Sequence, residues 1–304
     1  MRENYLKPVR EQEPVLHIAV STRALFDLEK ENEIFEALGA EEYIKYQMAH
    51  EDEVLKPGPA FNLIKAFLRL DGKVEILLMS KNSAEVSLRI FHSIEEYGLD
   101  ITRASFTTGR SIVPYLEAFH TDLYLSADAA DVEAAIASGI PAGWIMQGTG
   151  TTQGEIPEIR IAFDGDSCIF SNEADLVFEN AGLQAFSDSE REKARQPLAE
   201  GPMANFLKVI ASLQQEYPAD QVPIRTALVT ARSAPAHERV IRTLRSWGVR
   251  IDEAFFLGGE DKCGVLEAFG AHIFFDDNPT YIENASHVVL SARVLYPGTW
   301  KLAI

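Results

Sequence analysis

The sequence predicts an α/β protein built from two tandem lobes. Apolar runs of strand length alternate with amphipathic helical stretches along the whole chain, the pattern of a mostly parallel sheet covered on both faces. The chain also matches itself. A shift of 143 positions lays Ala19–Arg23 over Ala162–Asp166, Phe35 over Phe178, Gly39 over Gly182, Gly58-Pro59 over Gly201-Pro202 and Lys65 over Lys208. After a length difference of seven residues, a shift of 150 lays Arg89 over Arg239, Gly98 over Gly248, Gly109 over Gly259 and Leu116–Phe119 over Leu266–Phe269. A fixed period of this kind marks two copies of one folding unit. Finally, 304 residues with 46% hydrophobic content can fill two ordinary cores.

Residues 1–14 are polar and read as a loosely attached arm. Val15–Val20 then predicts a buried strand, and the spacing of Ile34, Phe35, Leu38, Tyr43, Ile44 and Met48 predicts a helix over Asn32–His50. Pro57-Gly58-Pro59 interrupts, and Ala60–Leu70 resumes as an amphipathic helix. A strand at Val74–Met79, a helix at Ala84–Tyr97 ended by Gly98, a strand at Asp122–Leu125 and a helix at Asp131–Ser138 complete a first lobe over 15–146. Gln147–Gly154 (QGTGTTQG) lacks the glycine fingerprint of a phosphate loop and reads as part of a linker, 147–158. The second lobe, 159–304, repeats the order. Its strands are Ile159–Phe163, Ile224–Val229, Ala254–Leu257 and Ile273–Phe275. Its helices are Glu173–Asn180, Met203–Gln215, Ala236–Trp247 and Cys263–Phe269.

A net charge of −18 argues against a nucleic-acid partner, which needs a basic face. Two cysteines are too few for a disulfide framework and suit a reducing compartment. No apolar run reaches membrane-spanning length and the N-terminus has no apolar signal core, so the expectation is a cytoplasmic protein with no membrane partner. Oligomeric state is left open, a homo-oligomer included.

The copies part company at polar positions. Asp164, Asp166, Thr230, Lys262, Asp276 and Asp277 of the second half face Ser21, Arg23, Ser80, Ile112, Ser126 and Ala127 of the first. All four carboxylates and the lysine sit in the second copy alone, each at or just after an apolar strand, where a parallel sheet opens its crevice. Singly each is weak: Asp-Gly-Asp is a common turn, and Asp-Asp a common helix cap. Together they are the groups that phosphoryl transfer needs. A carboxylate beside Mg²⁺ can attack phosphorus, a second carboxylate two residues on can move the proton, and a hydroxyl and an ammonium can hold phosphate oxygens. The reading is one active lobe and one degenerate lobe.

The ordered set resembles the haloacid dehalogenase-like superfamily of aspartate-nucleophile phosphatases, whose domains are Rossmann-like. The stretches AVSTRALF, PGPAFNLIKA, LRIFHSIEEYGL, HTDLYLSADA, RIAFDGD, LVTARSA, TLRSWG and HIFFDDN are similar to the cytosolic 5'-nucleotidase I family, over roughly residues 15–290. The resemblance implies a Mg²⁺-dependent hydrolase of nucleoside 5'-monophosphates, AMP foremost. Asp164 would be the nucleophile and Asp166 the general acid/base. Thr230 and Lys262 would hold phosphate. Asp164, Asp166, Asp276 and Asp277 would form the metal site, with Gly165 and Ser233 beside the substrate. Arg232, two residues after Thr230, is expected either to reach the substrate or to form a salt bridge. A helical insert, about 172–202, would be a small cap. A sugar-phosphate phosphatase, a phosphotransferase and a non-catalytic nucleotide sensor are the competing readings. At the strand ends of the first lobe, Arg23, Asn82 and Arg110 are donors suited to an anion or a base. They are expected either to reach over to the nucleotide or simply to populate polar loops.

Overall fold

The computed structural model describes residues 16–70, 72–146, 148, 154–218 and 221–296. The arm at 1–14 and half of the linker at 147–158 (147 and 149–153) lie outside the described residues. Twelve strands are described in chain order: β1 (Leu16–Ser21), β2 (Phe26–Asp27), β3 (Lys56–Pro57), β4 (Val74–Ser80), β5 (Arg103–Phe106), β6 (Leu123–Ser126), β7 (Ala142–Ile145), β8 (Ile159–Phe163), β9 (Ile224–Thr230), β10 (Glu253–Phe256), β11 (Ile273–Asp276) and β12 (Ser291–Arg293). Ten of them form one sheet in the order β10-β9-β8-β11-β12-β7-β6-β1-β4-β5, while β2 and β3 pair separately. Among the described residues no helix is long and apolar enough to cross a membrane.

The sheet reads as two sets of five with the same order. The first is β5-β4-β1-β6-β7 and the second β10-β9-β8-β11-β12, parallel throughout within each set. They meet through the antiparallel pair β7–β12, with Ala292 opposite Ile145 and Arg293 opposite Trp144. The two sets therefore run in opposite directions, and their C-terminal ends open on opposite edges of the sheet.

The local chemistry explains the elements. LHIAVS and VEILLMS are almost wholly buried, as strands covered on both faces must be. Helix His237–Ser246 buries Arg239, Val240, Thr243 and Leu244 on one stripe and turns its other charges outward. Phe163 of β8 stacks on Phe275 of β11 at 5.4 Å between centroids, both fully buried. Truncating either to Ala would cost about 3–5 kcal/mol by lost burial and cavity formation.

Small hydrogen bonds recur at the sequence shifts. Arg89 Nε donates to the Glu53 carbonyl at 3.0 Å, and Arg239 Nε to the Gln196 carbonyl at 2.9 Å. Ser93 Oγ caps the Leu55 N–H at 2.9 Å, and Thr243 Oγ1 caps the Leu198 N–H at the same distance. Gly39 and Gly182 hold φ of 83° and 78°, a conformation that glycine adopts without strain. The continuous helix expected over Asn32–His50 is therefore two, Glu29–Leu38 and Ala40–Ala49. Likewise the helix expected at Glu173–Asn180 runs on to Glu192 with its break at Gly182.

Candidate active site

The second set of strand ends gathers its carboxylates around one lysine. Asp164 follows β8, and its N–H donates to the Phe275 carbonyl at 2.8 Å, carrying the β8–β11 ladder one residue further. The chain then turns widely through Gly165–Ile169, with Ser167 at φ 57°. A methyl on Gly165 would come within 3.1 Å of Thr230 Oγ1, so the close approach of β9's end leaves a side chain there little room. Thr230 Oγ1 accepts the Arg232 N–H at 3.2 Å, which leaves its own hydrogen to donate. Lys262 opens helix Cys263–Phe269. The residue is 1% exposed, and its ammonium lies 2.5 Å from Asp164 Oδ1 and 2.6 Å from Asp276 Oδ2, with the Tyr281 ring centroid at 4.6 Å. Asp276 ends β11 and accepts the Asn278 N–H through its other oxygen at 2.7 Å. Asn278 in turn caps helix Pro279–Ala285.

Asp164, Asp276 and Asp277 each offer an oxygen, all within 4.8 Å of one another. Burial, with the neighbouring carboxylates and against the pull of Lys262, pushes Asp164 up to about 8. Burial and the Asp276 and Asp164 charges push Asp277 up to about 9, and burial raises Asp276 despite Lys262. Three carboxyl groups thus share one ammonium, too little positive charge to keep all three ionised. Clustered hard oxygen donors short of positive charge fit a divalent cation that prefers oxygen.

Asp166 points into a different set of partners. Both of its oxygens accept from Arg232, from Nε and from Nη2, at 2.6 Å each. The same guanidinium bonds Glu190 through Nη1 and lies 5.5 Å from the Phe186 ring centroid. Glu190 is shared with Arg239 at 2.7 Å, and Arg239 reaches Glu173 at 2.6 Å. A bidentate guanidinium–carboxylate fork in a buried setting is a strong and directional pair. The chain Asp166–Arg232–Glu190–Arg239 ties the crevice to the helix Glu173–Glu192. Sequence reading did not find Glu190, Arg239 or Glu173 as part of it. A signal existed: Arg239 matches Arg89 and sits on the buried stripe of an amphipathic helix, where an arginine needs partners. Asp175 was missed too. It accepts from Ser167 Oγ at 2.7 Å, and burial, with Asp166 nearby, pushes its carboxyl up to about 6. Ser233 is exposed, beside Gly258, whose added methyl would sit 3.6 Å from Ser233 Cβ.

Arg23, Asn82 and Arg110 are not brought to Asp164. They lie with the first set of strand ends, on the opposite edge of the sheet, because β7 and β12 pair antiparallel. Arg23 pairs with Glu29 at 3.1 Å, the Asn82 N–H is held by Ser80 Oγ at 3.1 Å, and Arg110 is exposed. The expectation that they reach over to a nucleotide held by Asp164 is corrected: within one chain, parallel sets of opposite sense cannot share a crevice at their C-terminal ends.

A family model described as 5'-nucleotidase matches residues 8–300. The human protein named Cytosolic 5'-nucleotidase 1B is 38% identical over 287 residues, covering 89% of this chain and 47% of that protein. The chain thus spans about half the length of the curated relative it matches. No solved structure matches it. With the match running through both sets of strands and the acidic cluster alike, the chain belongs to the 5'-nucleotidase family, in its cytosolic 5'-nucleotidase I branch.

Proposed function

We propose that the chain is an enzyme that hydrolyses nucleoside 5'-monophosphates, AMP foremost, to nucleoside and phosphate with Mg²⁺ as cofactor, in the cytoplasm. The observation that carries this is the convergence of Asp164, Lys262 and Asp276. They come from three separate strand ends and lie within hydrogen-bond reach of one another, with Asp277 alongside. The human relative's name carries the same activity and compartment.

In this reading Asp164 attacks phosphorus through a carboxylate oxygen and becomes an aspartyl phosphate. The 5' oxygen of the nucleoside leaves and takes a proton from Asp166. Water, deprotonated by the same group, then releases phosphate and restores Asp164. Asp164, Asp276 and Asp277, with the backbone carbonyl of Asp166, would hold Mg²⁺. When bound it offsets the repulsion between the phosphate and the attacking carboxylate. Lys262 and Thr230 donate to the equatorial oxygens, where charge must be held as the bond changes. Both Asp166 oxygens accept from Arg232 in this conformation, so delivering the proton requires one of those bonds to open.

The chain is also inferred to be two tandem haloacid dehalogenase-like lobes, 15–146 and 159–304. The first would have lost its carboxylates, and a small cap at about 172–202 would exclude water during attack. Support comes from the repeated strand order, the hydrogen bonds repeated at the shifts of 143 and 150, and the Arg232–Glu190 tie between crevice and helix.

The test is phosphate release from AMP and a panel of nucleotides and sugar phosphates at saturating Mg²⁺. The expected result is preference for nucleoside monophosphates and loss of turnover in Asp164→Asn. Turnover that survives Asp164→Asn, or a sugar phosphate hydrolysed faster than every nucleotide, would overturn the reading.

A further inference from the structure

At the opposite edge of the sheet from Asp164, a cavity of about 450 Å³ opens over the ends of β1, β4 and β6. It lies at the point where neighbours of β1 diverge to the two sides, the place where open α/β sheets bind ligands. Residue by residue it is the counterpart of the Asp164 crevice. Ser21 stands for Asp164, Arg23 for Asp166, Asn82 for Arg232, Ile112 for Lys262, and Ser126 with Ala127 for the aspartate pair. These exchanges change what the space accepts. None of the four carboxylates of the Asp164 crevice has an acidic counterpart here. The buried ammonium that fills the other crevice has become an isoleucine, which leaves room.

The polar groups that remain are donors in want of acceptors. Arg23 Nε is buried without a hydrogen-bond partner, although the far end of the same guanidinium pairs with Glu29. A donor left unmet in this way favours any ligand that accepts from it. Ser21 Oγ already accepts two backbone N–H bonds, from Ala24 and Ala127 at 3.2 Å each, so what it has left is its own O–H to give. Three acidic residues line the cavity, and each is engaged by protein groups: Glu31 by Arg89 at 2.6 Å, Asp131 by the lining Lys81 at 2.5 Å, and Asp128 by the Asp131 N–H at 3.1 Å with Lys81 3.7 Å away. Above this donor floor the wall is apolar and aromatic, from Phe35, Tyr43 and Ile44 on one side and Ile112 on the other. Phe35 and Tyr43 stand edge to face at 5.9 Å.

We propose that this cavity is a second ligand site, which takes a ring-bearing organic phosphate without a divalent cation and does not turn it over. The anion lies against Arg23 and Ser21, and the ring against Tyr43, Ile44 and Ile112. The choice of phosphate over other anions rests on the function proposed for the twin crevice. Non-hydrolysis follows from the chemistry, since among the described residues no carboxylate or base hydrogen-bonds Ser21 to make it a nucleophile.

The experiment is calorimetric titration of the full chain with phenyl phosphate in excess EDTA, which removes the cation on which the Asp164 crevice depends. One saturable site is expected, unchanged in Asp164→Asn and weakened tenfold or more in Arg23→Gln. Circular dichroism melting of each variant checks that it folds. If Arg23→Gln fails to fold, Ser21→Ala takes its place, with a several-fold loss expected. Absence of saturable binding in EDTA would overturn the proposal. So would binding lost in Asp164→Asn, or binding untouched by the Arg23 and Ser21 changes. Because the readout is binding without turnover, a chain inactive on AMP would contradict the proposed hydrolysis and leave this prediction standing.

Discussion

Replacing Lys262 by Met removes the one positive charge at the centre of the acidic cluster while keeping its length and most of its apolar stem. Carboxylate oxygens of Asp164, Asp276 and Asp277 lie within 4.8 Å of one another, and Lys262 Nζ lies 2.5 and 2.6 Å from the first two. With an effective dielectric constant near 20, two like charges 4.8 Å apart repel by roughly 3–4 kcal/mol, and an ammonium about 2.5 Å from a carboxylate attracts by roughly 6–7 kcal/mol. At pH 7 burial already keeps Asp164 and Asp277 largely protonated, so the lysine balances the charge that remains among the three carboxyls. Without it that charge must either stay unpaired, losing about 6–7 kcal/mol of attraction, or take up a proton. Proton uptake limits the loss at pH 7 to about 3–5 kcal/mol, the range for breaking a buried pair. Urea unfolding in EDTA reads this directly. Mg²⁺, proposed to bind the folded cluster, should return a large part of the loss, raising the variant's midpoint more than the parent's. Activity should stay low, by about 100-fold or more, because Lys262 is also proposed to serve the phosphate oxygens. A variant as stable as the parent in EDTA, or one indifferent to Mg²⁺, would refute the electrostatic account of the cluster.

Three further outcomes follow from the geometry. Asp164 and Asp277 are raised in the folded protein to about 8 and about 9 from 3.8. Their contribution to stability is therefore full below pH 4 and is lost as pH climbs towards 9. In EDTA, differential scanning calorimetry should show Tm falling between pH 6 and 9 on this account, and Mg²⁺ should flatten the fall. Glu190→Ala strips a shared acceptor from Arg232 and Arg239, both buried, and should cost about 3–5 kcal/mol in chemical denaturation. It should lower kcat more than KM, because Arg232 loses the partner that positions it on Asp166. Gly201→Ala would bring a methyl to 2.2 Å from the Phe170 carbonyl oxygen. The backbone cannot give way cheaply there, so expression should yield little folded protein, in contrast to Gly264→Ala, whose surroundings are open.

The site was legible in the sequence because chemistry there depends on residue type at strand ends. Asp164, Thr230, Lys262 and Asp276 could be placed from the apolar runs that precede them. The network around Asp166 was not legible in this way. Arg232 finds Asp166 and Glu190 across 66 and 42 residues of chain, and no local pattern records such a choice. Strands β5, β7 and β12 also escaped the reading. They hold four residues or fewer, and the half-buried Arg-Ala-Ser-Phe of β5 sits at the sheet's edge with no run to reveal it. The helix break at Gly39 was hidden because apolar spacing continues on both sides of it. Most consequential was the join. Repetition in the sequence announces two similar units, but the single antiparallel pair β7–β12 decides that their crevices open in opposite directions. That pair turned Arg23 from a neighbour of Asp164 into the floor of a separate cavity.

The central claim is that Asp164 carries the phosphoryl group. Rapid quenching of the enzyme with Mg²⁺ and ³²P-labelled AMP, followed by peptide mass spectrometry, measures this most directly. The account predicts transient label on the peptide containing Asp164, released by hydroxylamine and missing in Asp164→Asn. Steady turnover of AMP with label on another residue, or with no covalent label at any quench time under conditions that trap acyl phosphates, would contradict it.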